Sequence, residues 1–288
     1  GAQCYSMGII GEDINGTILK EELKKRGVNT EGLISSPNRK TATYTRVVCG
    51  GKKRPTQHIA RYDIENREVI DSIMKEQLKE YIRRILPQVD AIIVADYDDL
   101  GGIGLITKDF TEELAILART HQKIIIGNSR KQVQNFKDFT LIIQNDTEAE
   151  RFLNKEVKNE KQIINAVKEI KDRLNLQKVM LTLGKDGILT YNGEEISQFP
   201  SKATQVVDVC GAGDTVTCLT ALTLCCNGSL EEAATLGNYG ASITVAKEGT
   251  VAVERGDILD ILGHTAKKNP KLIERKNLKE SVQKLREK

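Results

Sequence analysis

The sequence predicts an α/β fold with a central, mostly parallel sheet flanked by helices, and three observations lead there. Short apolar runs rich in β-branched residues recur at AIIVAD (91–96), KIIIGN (123–128), TLIIQN (140–145) and KVMLTLG (178–184). Between them stand stretches with apolar residues at helical spacing, among them ITKDFTEELAILARTHQ and EKQIINAVKEIKDRLN. Strands that are apolar without alternation are buried on both faces, which is what successive βαβ units produce. Each run also ends in a polar residue or a glycine: Asp96, Asn128, Asn145 and Gly184. In open parallel sheets ligands collect beyond those carboxyl ends.

Taken in order, the first distinct element is a hairpin. TATYTRVV and TQHIARYD flank CGGKKRP over about residues 41–62, two strands around a Gly/Lys/Pro loop set apart from the parallel pattern as a lid or an edge. The four apolar runs and their helices follow. ATQVVDV has strand character, and DTVTCLTALTLCCNGS is apolar enough for a buried helix that ends near Asn227-Gly228. Residues 1–262 therefore read as one domain. Past it, Asn269-Pro270 marks a break, and Leu278, Val282 and Leu285 recur at helical spacing, so 263–288 read as a basic linker with a short helix and no second domain.

Composition limits the function classes. With 288 residues, 39% hydrophobic and 29% charged, the chain suits a globular protein, and no apolar run reaches the length of a membrane span. The first residues lack the basic start and long apolar stretch of a secretory signal, so a cytoplasmic location is expected. Six cysteines show neither CxxC pairs nor histidine partners, as expected for reduced thiols. Only three histidines are present (His58, His121, His264), far apart, so a histidine metal site or catalytic triad has little to draw on and oxygen ligands are expected for any metal. Residues 263–288 hold nine Lys/Arg against three Glu, leaving 34 basic against 37 acidic residues elsewhere. The basicity belongs to the tail, and neither a uniformly basic face nor an RNA-binding signature points to nucleic acid.

The chemistry concentrates in Val207–Thr215, VDVCGAGDT, where strand character meets helix character. Glycines at a helix N-terminus leave free N–H groups, which with the helix dipole attract anions. Two readings stay open on these residues alone. Asp214 caps the helix and the glycines make a turn; or Asp214 accepts a hydroxyl proton while the oxygen attacks phosphorus, since beside a phosphate a carboxylate is a poor binding group. Neither GxxxxGK[ST] nor GxGxxG occurs here.

VDVCGAGDT closely resembles the D-T-x-G-A-G-D signature of the ribokinase-like, or PfkB, sugar kinases. Other segments match in the expected order. GIIGEDINGTILKEELKKRGVNTEGLI is similar to the early G-x-D-x-x-G segment, NDTE (145–148) to N-x-x-E, LTLGKDG to the strand before the nucleotide, and LGNYGASITVAKEGTVAV to the late nucleotide-pocket segment. Within the family, RYDIENRE and ADYDDLGG resemble the heptose-phosphate kinase branch, including the kinase half of bifunctional ADP-heptose synthesis proteins. The tail from Asn269 looks like that branch's connector to a nucleotidyltransferase domain, whose HxGH motif does not occur in this chain.

The resemblance implies an ATP-dependent sugar kinase with Asp214 as base and backbone donors from Gly211, Ala212 and Gly213. It implies Mg²⁺ organised by Asn145 and Glu148, with Asp208 assisting the metal or orienting the loop. Thr182 and Gly184, with Asn145 and Glu148, fall to the nucleotide phosphates, and Asn238, Gly249 and Val251 to the purine and ribose. Asp96, Tyr97, Asn128, Arg130 and Arg61 fall to the sugar, the arginines suiting one that already carries phosphate. The hairpin is expected to close over the sugar and to pair two subunits as a homodimer. Three departures bear on the acceptor and the chain's extent: DYDDLGG stands where the branch has D-Y-x-K-G, Asn128-Ser129-Arg130 where many members have D-P-K, and family members carry roughly fifty to sixty residues ahead of GAQCYSMG, including a first strand and G-G-x-x-x-N, a sizeable part of a core. A kinase for another sugar or nucleoside, and a non-catalytic nucleotide-binding relative, are the competing expectations.

Overall fold

The computed structural model describes residues 1–51, 54–98 and 102–263. The expected tail helix, Asp99-Leu100 and Lys52-Lys53 lie outside them. In chain order the elements begin with β1 (Tyr5–Gly11), α1 (Ile14–Lys25), β2 (Asn29–Ser36), β3 (Thr43–Gly51), β4 (Arg54–Ile64) and α2 (Ser72–Ile85). They continue through β5 (Ala91–Asp96), α3 (Lys108–Thr120), β6 (Ile124–Ser129), β7 (Leu141–Asn145), α4 (Asp146–Leu153), α5 (Glu160–Leu174) and β8 (Lys178–Thr182). Last come β9 (Ile188–Tyr191), β10 (Ile196–Phe199), α6 (Ala212–Cys225), α7 (Leu230–Val245) and α8 (Arg255–Ile261).

Six strands form one sheet in the order β10-β9-β8-β7-β6-β5, parallel from β5 to β8 and antiparallel at β9 and β10. The side-chain alternation of the central strands divides the core. Ile125, Ile142, Val179 and Leu181 point to one face, covered by α2, α3 and α5 through Leu78, Phe110, Leu114, Val167 and Ile170. Ile126, Leu141, Ile143 and Met180 point to the other, covered by α6 and α7 through Val216, Leu224, Leu230 and Ala234. Burying one such side chain is worth about 1.5–3 kcal/mol. That is why β6 and β7 read as unbroken apolar runs: both faces are covered.

The early G-x-D-x-x-G segment is explained by packing. Asp13 caps α1, its Oδ1 accepting from Gly16 N–H at 2.8 Å, and the same carboxylate accepts from Thr41 N–H and Thr41 Oγ1. A Cβ on Gly16 would lie 2.4 Å from the Gly11 carbonyl oxygen, so only glycine lets the first turn of α1 sit this close to the end of β1.

β3 and β4 form an antiparallel hairpin that joins neither the six-stranded sheet nor the parallel β1–β2 pair, with Val47, Val48, Ile59 and Tyr62 exposed. One expectation fails. ATQVVDV is not a strand: residues 203–209 run as irregular chain, with Val206, Val207 and Val209 exposed. Among the described residues no strand pairs with it, and Val207 and Asp208 instead donate their N–H groups to the Val245 carbonyl at the end of α7. All six cysteines are free thiols. Among the described residues, no helix is long and apolar enough to cross a membrane.

Candidate active site

The carboxyl ends of the parallel strands and the N-terminus of α6 share one region. Gly211 is the N-cap of α6, with φ 79° in the left-handed region that glycine tolerates, and no side chain caps the helix. Asp214 lies in the first turn and is exposed, so helix capping does not account for it. The expected donors need one correction. Ala212 N–H is engaged by the Val209 carbonyl at 3.3 Å, whereas Gly211, Gly213 and Asp214 N–H have no acceptor among the described residues. Gly213, rather than Ala212, therefore leads the free donors, and a Cβ built on it meets nothing within 4 Å. Open backbone donors at a helix start are suited to an anion.

Asp214 has one partner among the described residues. Tyr97, the residue after β5, donates its phenol O–H to Asp214 Oδ1 across 117 positions of sequence. Burial pushes the Tyr97 phenol well above its usual pKa, and the hydrogen bond and charge of Asp214 push the same way, so it remains a proton donor across the neutral range. Tyr44 of β3 donates its own hydroxyl to the Tyr97 carbonyl at 3.0 Å. The Arg130 guanidinium stands 4.6 Å from the Tyr97 ring centre and 5.4 Å from that of Tyr44, and Arg61 stands 4.4 Å from Tyr44 on the lid. Four of the expected residues, Tyr97, Arg130, Arg61 and Asp214, thus meet in one stack. Tyr44, which the motifs did not single out, holds it to the hairpin.

Beneath the stack lies Asp96, only 3% exposed. Its Oδ1 accepts from Asp98 N–H at 3.0 Å and its Oδ2 from Ser129 Oγ at 2.7 Å. In this position Asp96 braces the loop that carries Tyr97. Ser129, paired with Asp96 in the β5–β6 register, does this work where many relatives carry proline. Asn128 ends the adjoining position of β6, partly exposed.

Asn145 and Glu148 form a capping box on α4: Asn145 Oδ1 accepts from Glu148 N–H at 2.8 Å, and Glu148 Oε2 accepts from Asn145 N–H at 2.9 Å. N-x-x-E is therefore a helix start, and the cap fixes both side chains while leaving Glu148 Oε1 and the Asn145 amide N–H groups without a partner among the described residues. Burial pushes the Glu148 carboxyl above the usual carboxylate range, against the Asn145 N–H and the nearby Arg130 and Arg151 charges. A bound cation would reverse that cost. No cluster of three or more His, Cys, Asp or Glu suited to a metal occurs among the described residues, so these oxygens fit an ion that keeps most of its water, as Mg²⁺ does. Thr182 sits beside Asn145 in the β7–β8 register and Gly184 follows on the same edge. A cavity of about 220 Å³ opens next to Glu148, lined also by Arg130, Lys131, Val133, Gln134, Arg151 and Phe152.

The remaining residues separate. Thr250, between Gly249 and Val251, lies over the start of α6, its Oγ1 3.2 Å from Cys210 Sγ. Asn238 is buried, donating Nδ2 to the Phe199 carbonyl at 3.0 Å, and ties α7 to the end of β10. Asp208 is also buried, its Oδ1 accepting from Cys210 N–H at 3.0 Å and 3.5 Å from Arg46 Nη1. Arg46 was invisible to motif matching. It lies two residues from Tyr44, on the same face of β3, and that alternation is the signal by which sequence could have found it.

Comparisons with known proteins bear on the family and the fold. The model of the pfkB family carbohydrate kinases matches residues 1–255. The chain is 33% identical over 260 residues to the bifunctional protein HldE of Desulfatibacillum aliphaticivorans, covering 90% of this chain and 51% of that protein. It is 27% identical over 282 residues to the protein of the same name from Helicobacter pylori (strain ATCC 700392 / 26695), covering 98% and 59%. The chain thus spans somewhat more than half the length of these curated relatives. Among solved structures, Escherichia coli phosphofructokinase-2 in complex with potassium superposes with TM-score 0.74 at 17% identity, covering 92% of this chain and 82% of that one. Arabidopsis thaliana ribokinase complexed with ribose and ATP gives 0.69 at 22%, covering 90% and 82%. At these identities the likeness to solved structures establishes a ribokinase-like α/β fold. With the family model matching from the first strand to the start of α8, the chain belongs to the pfkB family of carbohydrate kinases, phosphotransferases with an alcohol group as acceptor.

Proposed function

We propose that this chain transfers the γ-phosphoryl group of ATP to the anomeric hydroxyl of D-glycero-D-manno-heptose 7-phosphate, a step toward ADP-heptose for lipopolysaccharide, in the cytoplasm. The observation that carries the chemistry is Asp214: a carboxylate in the first turn of a helix, not used as a cap, beside N–H groups of Gly211 and Gly213 that have no acceptor among the described residues. As the acceptor oxygen bonds to phosphorus and the bond to ADP breaks, its proton passes to Asp214, and the Gly211 and Gly213 N–H groups bind the charge on the transferring group. Mg²⁺, when bound, would neutralise phosphate charge, and Glu148 and Asn145 are the groups to hold it. Arg130, Arg151 and Lys131 around the 220 Å³ cavity favour an acceptor that already carries phosphate. The likeness to the HldE proteins favours heptose. A different sugar phosphate is the second reading, favoured by Asn128-Ser129-Arg130 and the altered DYDDLGG segment.

Two further parts of the proposal concern assembly. The exposed apolar residues of the β3–β4 hairpin, Val48, Ile59 and Tyr62, suit pairing of two lids in a homodimer. The relatives' greater length suits a nucleotidyltransferase domain or partner beyond this chain. The test is ADP release over a panel of sugars and sugar phosphates. Turnover confined to heptose 7-phosphate supports the branch, turnover of another acceptor replaces it, and silence throughout overturns the activity. Asp214→Asn should lower kcat by about 10³-fold or more while ATP binding persists.

A further inference from the structure

We propose that Tyr97 is a positioning residue for the base, holding one carboxylate oxygen of Asp214 so that the other faces the acceptor hydroxyl, and that the lid sets Tyr97 through Tyr44. This rests on Asp214 being the base. The geometry that points to it is the division of the carboxylate: Oδ1 accepts from the Tyr97 phenol, and Oδ2 has no partner among the described residues. An aspartate side chain on an exposed helix turn has free rotamers, and a single fixed donor removes most of them.

Tyr97 is itself held from three sides. Its backbone follows Asp96, whose carboxylate is pinned by Ser129 Oγ and Asp98 N–H. Its carbonyl accepts from Tyr44 Oη at 3.0 Å, and Arg130 stands over its ring. The donor is neutral. An arginine in its place would pair with the carboxylate and make it a weaker proton acceptor, whereas a phenol orients it at a smaller cost in basicity. Because Tyr44 lies on β3, a lid that swings away removes the bond to the Tyr97 carbonyl, so base geometry and lid position are one linked state. The proton in flight goes from the acceptor hydroxyl to Asp214 Oδ2; Tyr97 keeps its own.

The test compares wild type with Tyr97→Phe, Tyr44→Phe and Asp214→Asn, using heptose 7-phosphate and the other acceptors of the panel. Hydrogen bonds to charged groups lead to an expected fall in kcat of about tenfold or more for Tyr97→Phe, with acceptor KM within about twofold and ATP affinity unchanged. Tyr44→Phe should fall less, by about two- to fivefold, because it acts through Tyr97. A kcat for Tyr97→Phe equal to wild type while Asp214→Asn is inactive overturns the role of Tyr97 and leaves the base assignment standing. A kcat above wild type also overturns it, since the contact would then obstruct the base. Full turnover by Asp214→Asn, or none by wild type with any acceptor, sinks the base reading itself. A readout independent of turnover is the ¹³Cζ resonance of labelled Tyr97, identified by its loss in Tyr97→Phe. It should move in Asp214→Asn, and an unmoved resonance shows that the contact does not exist in solution.

Discussion

Replacing Gly213 with alanine adds one methyl group to the first turn of α6, and the structure allows its effects on stability and on turnover to be worked out separately. A Cβ at this position meets no atom within 4 Å, and Gly213 is not among the glycines with positive φ. Neither clash nor strain opposes the change, while helix propensity favours alanine over glycine by about 0.5–1 kcal/mol. For a domain of this size, that gain raises Tm by about 1–4 °C. If the free N–H groups bind the transferring phosphoryl group, the same methyl stands in its path, and kcat should fall by about 10²-fold, the scale seen when one such donor is lost. Thermal melting followed by ADP release on the same preparation reads both quantities. A variant that is more stable and fully active refutes the anion hole and reduces the glycine to an accident of the turn. Gly211→Ala is the poorer test, because φ 79° alone would cost about 1–2 kcal/mol and confound the two effects.

Three further outcomes are expected. Hydrogen bonds from Thr41 N–H, Gly16 N–H and Thr41 Oγ1 hold the Asp13 carboxyl below its usual range, so its stabilising contribution is present at neutral pH and lost as pH falls through that lowered value. Asp13→Asn should therefore be less stable than wild type in denaturant unfolding near pH 7, with the gap closing as pH falls below the ordinary carboxylate range; a gap that does not depend on pH refutes this. Gln144 is 1% exposed, with neither Nε2 nor Oε1 hydrogen-bonded among the described residues, so Gln144→Met should gain about 1–3 kcal/mol, and a loss would show the amide to be paired in solution. Ile59→Lys on the exposed lid should shift sedimentation from dimer to monomer, and a wild type that sediments as monomer removes the lid-paired dimer.

Much of this protein was legible before its structure. The central strands announced themselves because both faces are buried, so Ile125, Ile126, Ile142 and Ile143 leave no polar alternation to confuse with a helix or an edge. The helix start at Gly211 and the acid in its first turn were also local, since capping and glycine geometry depend on residues a few positions apart. Local pattern misled at ATQVVDV, where valines suggested a strand that has no partner among the described residues, and the resemblance counted Ala212 as a donor although an adjoining turn takes its N–H.

Sequence by itself determined the layered sheet, the glycine-led helix start with its acid, and the family, because each is written in residues close along the chain or in a motif of fixed spacing. Tertiary structure alone decided what Asp214 touches. The strand order brings β5 beside β6 at the mouth of the site, and only that placement sets Tyr97 on the carboxylate, Ser129 under Asp96 and the lid's Tyr44 behind both. No local periodicity encodes which distant side chains converge, since convergence depends on how the strands are ordered and on where the hairpin comes to rest.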